Sequence, residues 1–268
     1  MTASEPGIDR IAPTLQPPGW PVMRQRWADL LFLHWPVPIE ALRPLIPAEL
    51  DIDTFEGAAY VGLVPFTMSG VRPWWAPAVP GLSNFHEVNV RTYVHLRGRD
   101  PGVWFFSLDA AQATAVRIAR RVWQLPYHYA RMSLERGAGG SIAYASDRLW
   151  PGPTPASIRV AYRPEGPPRA SVPGTIEHFL AERYILYAGR AGSLRVGRVH
   201  HAPYPLQEAR VDRLEDSLVA AAGLPSLDAP PLAHYASEVR VRVYALAKLG
   251  NAARGNGTEL PRDQRSTV

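Results

Sequence analysis

The chain contains no cysteine. Disulfides and thiolate metal sites are therefore excluded, and the redox compartment cannot be read. Lysine is almost missing as well: 29 residues are Lys or Arg, and the only lysine is Lys248. Chemistry that needs a lysine amine has a single candidate. No apolar run approaches the roughly 18 residues of a membrane span. The opening MTASEPGIDRIAPTLQPPG lacks the basic start and apolar core of a signal peptide. A cytoplasmic protein with no membrane partner is the expectation. Walker A, G-x-G-x-x-G, H-E-x-x-H and G-x-S-x-G motifs are absent, which removes the common nucleotide, zinc-protease and α/β-hydrolase readings.

The net charge of +5 raises the question of nucleic acid. The arginines are dispersed with acids nearby, and neither a basic run nor an RNA-binding aromatic signature occurs, so no nucleic-acid partner is expected. The eight histidines form no i, i+4 pair, and no metal or cofactor is assigned. What is present suits a globular protein: 268 residues at 46 % hydrophobic content are enough for a sizeable core.

The most informative stretch runs from Asn84 to Arg131. In NFHEVNVRTYV, Glu87, Asn89, Arg91 and Tyr93 fall on every second residue, with Val88, Val90, Thr92 and Val94 between them. Side chains alternate across a strand, so one face is polar and the other apolar. A turn at Gly98 to Gly102 leads to a second strand, Val103 to Leu108. A helix is expected over Ala111–Trp123 and a third strand over Tyr127–Leu134. From this pattern alone the polar face could look at water or into a cavity.

Elsewhere, residues 1–20 read as a flexible arm and 249–268 as a disordered tail, leaving 21–248 as one domain. Met23–Trp35 reads as a strand and Pro38–Leu50 as a short helix interrupted by Pro44. Trp74 and Trp75 are expected to cap the core from a proline-rich loop. Thr175–Ala181 reads as a short helix, and a further helix is expected around Arg213–Ala222. In EVRVRVYAL, the valines 239, 241 and 243 should face inward, with Arg240, Arg242 and Tyr244 outward. About ten strands, three or four short helices and no βαβ rhythm favour a curved antiparallel sheet or barrel.

The segments MRQRWADLLFLHWPVP, LRPLIPAELDIDTFEG, VGLVPFTM, FHEVNVRTYV, GVWFFSLDA, LPYHYARM and LAERYILY, in that order, resemble the bacterial YqjF-like family, which is related to acetoacetate decarboxylase. The resemblance spans roughly 23 to 248. It implies a mainly β (α+β) fold, an antiparallel β-barrel or cone with a cavity inside the sheet, and a homo-oligomer. Acetoacetate decarboxylase works through a Schiff-base lysine. The matching positions here are Tyr127 and His128, and neither can form an imine. The parent's catalytic glutamate is matched by Glu87, which turns the polar face of β-strand residues 87, 89, 91 and 93 toward the interior. A buried carboxylate calls for a partner, expected to be Arg91, or Arg120 or Arg121 from the helix.

Two readings follow. The first is a small-molecule enzyme acting by general acid–base chemistry on a carbonyl or enolisable organic acid. Glu87, Tyr127 and His128 are its catalytic candidates; Asn89, Arg91, Tyr93, Arg120 and Arg121 are its substrate-binding candidates. The second is a protein that binds an organic acid or aromatic metabolite in the same cavity without turnover.

Overall fold

The computed structural model describes residues 7–227 and 229–249. Among these, thirteen strands belong to one sheet: β1 (Met23–Val37), β2 (Asp51–Ile52), β3 (Ala59–Pro73), β4 (Phe85–Leu96), β5 (Arg99–Ala110), β6 (Tyr127–Arg136), β7 (Ile142–Trp150), β8 (Ser157–Arg169), β9 (Ile185–Ala188), β10 (Arg195–His200), β11 (Leu206–Asp216), β12 (Leu232–Val243) and β13 (Ala247–Lys248). Four short α-helices accompany them: α1 (Ile39–Leu42), α2 (Ala113–Ile118), α3 (Ile176–Ala181) and α4 (Leu218–Ala221).

The strand order is β13-β10-β9-β5-β6-β7-β8-β11-β12-β1-β3-β4-β2, with β4 also paired to β5 and β10 to β12. The β4–β5 pairing closes the sheet on itself, and β9 with β10 bridges from β5 to β12. Closure leaves few free edges. It also buries both faces of β4. Val88, Val90 and Val94 are fully buried on one side, while Glu87, Asn89, Arg91 and Tyr93 are buried on the other. Alternation in this strand therefore separates two interiors rather than an interior from water.

Several expectations are corrected. The helix expected around Arg213–Ala222 is strand as far as Asp216, because β11 pairs with β8 out to Asp216↔Ile158. Helix starts only afterwards, where the Asp216 carboxylate accepts from the Leu218 and Val219 amides. The helix expected over Ala111–Trp123 is α2 followed by a wider turn over Ala119–Trp123, ending at Gln124 with a left-handed φ of 54°. A parallel β–α–β unit does occur: Leu108 on β5 pairs with Tyr127 on β6 across α2. Trp74 and Trp75 are exposed rather than capping the core, because their loop follows the end of β3 outward. Tyr244, expected outside, is buried, since the strand ends at Val243 and alternation no longer governs it.

Residues 1–6 and 250–268, which hold the outer parts of the expected arm and tail, lie outside the described residues. Within the arm, Pro13 and Pro17 are buried. Arg10 ion-pairs with the buried Asp53, whose second oxygen accepts from Arg183 at 2.7 Å. These contacts tie the segment to β2 and the turn before β9.

Candidate functional site

A cavity of about 120 Å³ lies inside the ring formed by β1, β3, β4, β5, β9, β10 and β12. Most of its wall is apolar, with Trp27, Phe32, Phe66, Phe105 and Leu125 among the lining side chains. The polar exceptions are concentrated on β4. Glu87, Asn89 and Arg91 line the cavity at two-residue intervals, about 6.6 Å apart along the strand.

Glu87 is the most deeply buried of the three. It is 2 % exposed. Burial pushes its carboxyl up to about 8, partly opposed by the Tyr127 hydrogen bond and reinforced by the negative charge of Asp109. The Tyr127 hydroxyl donates to Glu87 Oε2 at 3.0 Å. That contact comes from the parallel β5–β6 pairing, which places the first residue of β6 beside the ring. Behind them, Tyr144 donates to the Glu87 carbonyl oxygen at 2.9 Å and fixes the strand at this point.

The expected Glu87–arginine pair is not formed among the described residues. Glu87 and Arg91 are four residues apart on an extended strand, about 13 Å, and no ion pair joins them. Arg91 Nη2 instead donates to the Leu180 carbonyl at 3.1 Å, while its Nε has no partner. Asn89 Oδ1 is likewise buried without a partner. A buried polar atom left unmatched costs about 1–3 kcal/mol, a cost that a polar ligand in the cavity would offset.

The other candidates lie elsewhere. Tyr93 stands behind Arg91: its hydroxyl donates to the Leu180 carbonyl at 2.8 Å and accepts from His34 Nε2 at 2.6 Å. It supports the cavity without lining it. His128 follows Tyr127 in the strand and so points to the opposite side. Its Nδ1 donates to the Pro151 carbonyl at 2.7 Å, and it borders an outer cleft together with Arg120 and Arg121. Arg120 donates to the Tyr127 carbonyl oxygen and lies over the Trp150 ring. Both arginines are exposed, because the wide turn after α2 turns their side of the helix outward. Neither faces the cavity.

Residues without a strong sequence signal complete the wall. Tyr184 and Tyr204 both line the cavity and are held by Glu182, which accepts from the Tyr184 hydroxyl at 2.6 Å and the Tyr204 amide at 2.9 Å. Burial raises the Glu182 carboxyl above its usual value. Lys248, the only lysine, is exposed on β13 opposite Arg195 and lines an outer cleft, not the cavity. Among the described residues no group of three His, Asp or Glu could hold a metal ion, and no helix is long and apolar enough to cross a membrane.

Solved structures of acetoacetate-decarboxylase-like proteins share this mainly β fold. The enduracididine biosynthesis enzyme MppR, complexed with the condensation product of pyruvate and imidazole 4-carboxaldehyde, superposes with a TM-score of 0.60 at 14 % identity, covering 88 % of this chain and 91 % of that one. An acetoacetate decarboxylase-like enzyme from Sphingomonas wittichii RW1 gives 0.59 at 14 %, covering 85 % and 92 %. Acetoacetate decarboxylase from Legionella pneumophila gives 0.56 at 11 %, covering 93 % and 99 %. At these identities the likeness establishes the fold. Residues 24–240 match the model of DUF2071, described as an uncharacterized conserved protein, and the chain belongs to that family. It is also 38 % identical over 232 residues to the uncharacterized protein YqjF of Bacillus subtilis (strain 168), covering 87 % of this chain and 94 % of that protein.

Proposed function

We propose that the protein is a small-molecule enzyme that uses general acid–base chemistry on a carbonyl or enolisable organic acid, without an amine intermediate. One observation carries the reading: Glu87 is a buried, cavity-lining carboxyl with a pKa of about 8, hydrogen-bonded to Tyr127. A carboxyl tuned near neutrality exists in both protonation states at working pH and is suited to proton transfer. In its ionised form it takes a proton from the carbon beside a ligand carbonyl. The electron pair of that C–H bond moves to the carbonyl oxygen as an enolate, and protonated Glu87 then returns the proton to the ligand. Tyr127, donating to Oε2, orients the carboxyl. The guanidinium of Arg91 supplies positive charge for a ligand carboxylate, and Asn89 lies between the two. That MppR was crystallised with pyruvate supports a small oxo acid as the ligand class.

Since Lys248 is outside the cavity, the Schiff-base route of acetoacetate decarboxylase has no nucleophile here. This same observation favours the second reading, a binding protein that retains an organic acid unchanged. Native mass spectrometry of the purified protein, followed by denaturation, identifies a bound compound. Incubating that compound, or failing one a panel of 2-oxo acids in deuterated water, reads turnover as product or as deuterium at the carbon beside the carbonyl. Wild type is expected to turn over, and Glu87→Gln to lose about 100-fold or more while keeping ligand affinity. Full turnover by Glu87→Gln would remove the acid–base role, and a retained but unchanged ligand would establish the binder.

A further inference from the structure

The outer surface of the ring carries a feature unrelated to the cavity chemistry. The more buried residues of β1 and β12 alternate with exposed arginines: Arg24 and Arg26 on β1, Arg240 and Arg242 on β12. The register sets Arg24 opposite Arg242 and Arg26 opposite Arg240. Arg24 also faces Arg72 on β3, and Arg242 faces His200 on β10. A row of three arginines, Arg72, Arg24 and Arg242, thus crosses three adjacent strands and runs on to His200 on the fourth, β10. Directly opposed side chains sit about 5 Å apart at Cβ, and like charges placed so are destabilising. Relief from the described residues is sparse. Glu238 pairs with Arg26 at 3.1 Å, and Arg242 donates to the neutral Gln16 Oε1 at 2.7 Å. The open groove walled by these residues and Asn84 measures about 620 Å³.

The row ends in an exposed aromatic cluster. One pair beyond Arg24↔Arg72, Met23 faces Pro73, and there the chain exposes Trp20 at 78 %, Trp74 at 49 % and Trp75 at 73 %. Val22, Val79 and Leu82 are exposed as well. The Trp74 amide donates to the Val22 carbonyl at 3.2 Å, and the Trp20 and Trp74 rings lie 6.0 Å apart. Val22 also borders the cavity, and Gln25 borders both cavity and groove.

We propose that this corner docks onto an anionic lipid surface, with the tryptophans and aliphatic side chains in the interfacial layer and the arginine row against headgroup phosphates. Tryptophan favours the membrane–water interface, and the guanidinium fork matches phosphate oxygens. Self-association through the face is disfavoured, because a two-fold contact would set the arginine row against itself. Single-stranded nucleic acid would call for aromatic rings interleaved with the basic groove. The exposed tryptophans instead gather at one end of the row beside the exposed Val22, Val79 and Leu82, a mixed aromatic and aliphatic corner suited to a lipid interface. The docking is peripheral and needs no spanning helix.

The full chain is sedimented with vesicles of phosphatidylcholine alone and of phosphatidylcholine with phosphatidylglycerol, at low and high salt. Binding is expected only to the anionic vesicles, weakening with salt. Arg24→Gln with Arg242→Gln should lower partitioning about 30-fold, at roughly five-fold per basic residue. Trp74→Ser with Trp75→Ser should abolish binding while leaving the circular-dichroism melt in place. No sedimentation with anionic vesicles at low salt overturns the proposal. So does binding that survives loss of both tryptophans and is displaced by single-stranded DNA, which would assign the groove to nucleic acid.

Discussion

Replacing Glu87 by glutamine tests the buried carboxyl directly through stability, independent of any substrate. In the unfolded chain this carboxyl titrates near 4.5; in the folded protein burial raises it to about 8. Between those values the folded protein holds a proton that the unfolded chain has lost. The native state therefore loses stability as pH rises through the window, and the loss levels off above the folded value. At about 1.4 kcal/mol for each pH unit, the full window is worth about 5 kcal/mol. A glutamine amide has no such proton to release, so the Glu87→Gln variant lacks this decline. It is expected to gain on wild type progressively from acid to mildly alkaline pH, by up to about 5 kcal/mol.

Two buried histidines act in the opposite direction. His34 and His201 are held below their usual values chiefly by burial, so each adds stability as pH climbs toward 6.5 and the unfolded chain loses its extra proton. Both are present in the two proteins and cancel in the difference. Urea unfolding of wild type and variant at a series of pH values, compared as ΔΔG, isolates the Glu87 contribution. A ΔΔG that stays flat across the window would show that Glu87 is ionised in the folded protein, and the acid–base reading would lose its foundation.

Two further substitutions probe what holds the ring. Arg148 and Asp109 form a bidentate ion pair, 2.7 Å at both contacts, with the side chains 1 % and 0 % exposed. Arg148→Ala leaves a buried carboxylate unmatched and is expected to cost about 3–5 kcal/mol in urea unfolding, whereas Arg148→Met with Asp109→Leu should recover most of it; equal losses in both would refute the desolvation argument. Gly102 lies where β5 approaches β9, and a Cβ there would stand 2.6 Å from the Ile185 carbonyl oxygen. Gly102→Ala should therefore destabilise by about 1–3 kcal/mol through overpacking, read as a lowered melting temperature, and an unchanged melt would mean that the two strands separate without cost.

Much of the fold is legible along the chain, since alternation is a local property. β4 and the valines of β12 follow their period, and the turn at Gly139 falls between strands as expected. The turn expected over Gly98–Gly102 is shorter, because pairing with β4 draws Arg99 to Gly102 into β5. Where neighbours in space override local preference, reading fails. Leu214 to Asp216 is drawn into β11 by pairing with β8, although the local composition also suits helix. Tyr244 turns inward only because its strand has ended.

The candidate site divides along the same line. Composition and period alone establish that no cysteine and only one lysine are available and that Glu87, Asn89 and Arg91 share one face of a strand; the family resemblance rests on the ordered segments themselves. Closure of the sheet settles the rest: that both faces of β4 are buried and the Glu87 face lines the cavity, that Tyr127 rather than His128 meets Glu87, and that Arg120 and Arg121 lie outside. It also brings in Tyr184 and Tyr204 from distant segments. Closure raises the Glu87 carboxyl as well, because desolvation belongs to the whole surrounding protein and has no representation in a window of residues.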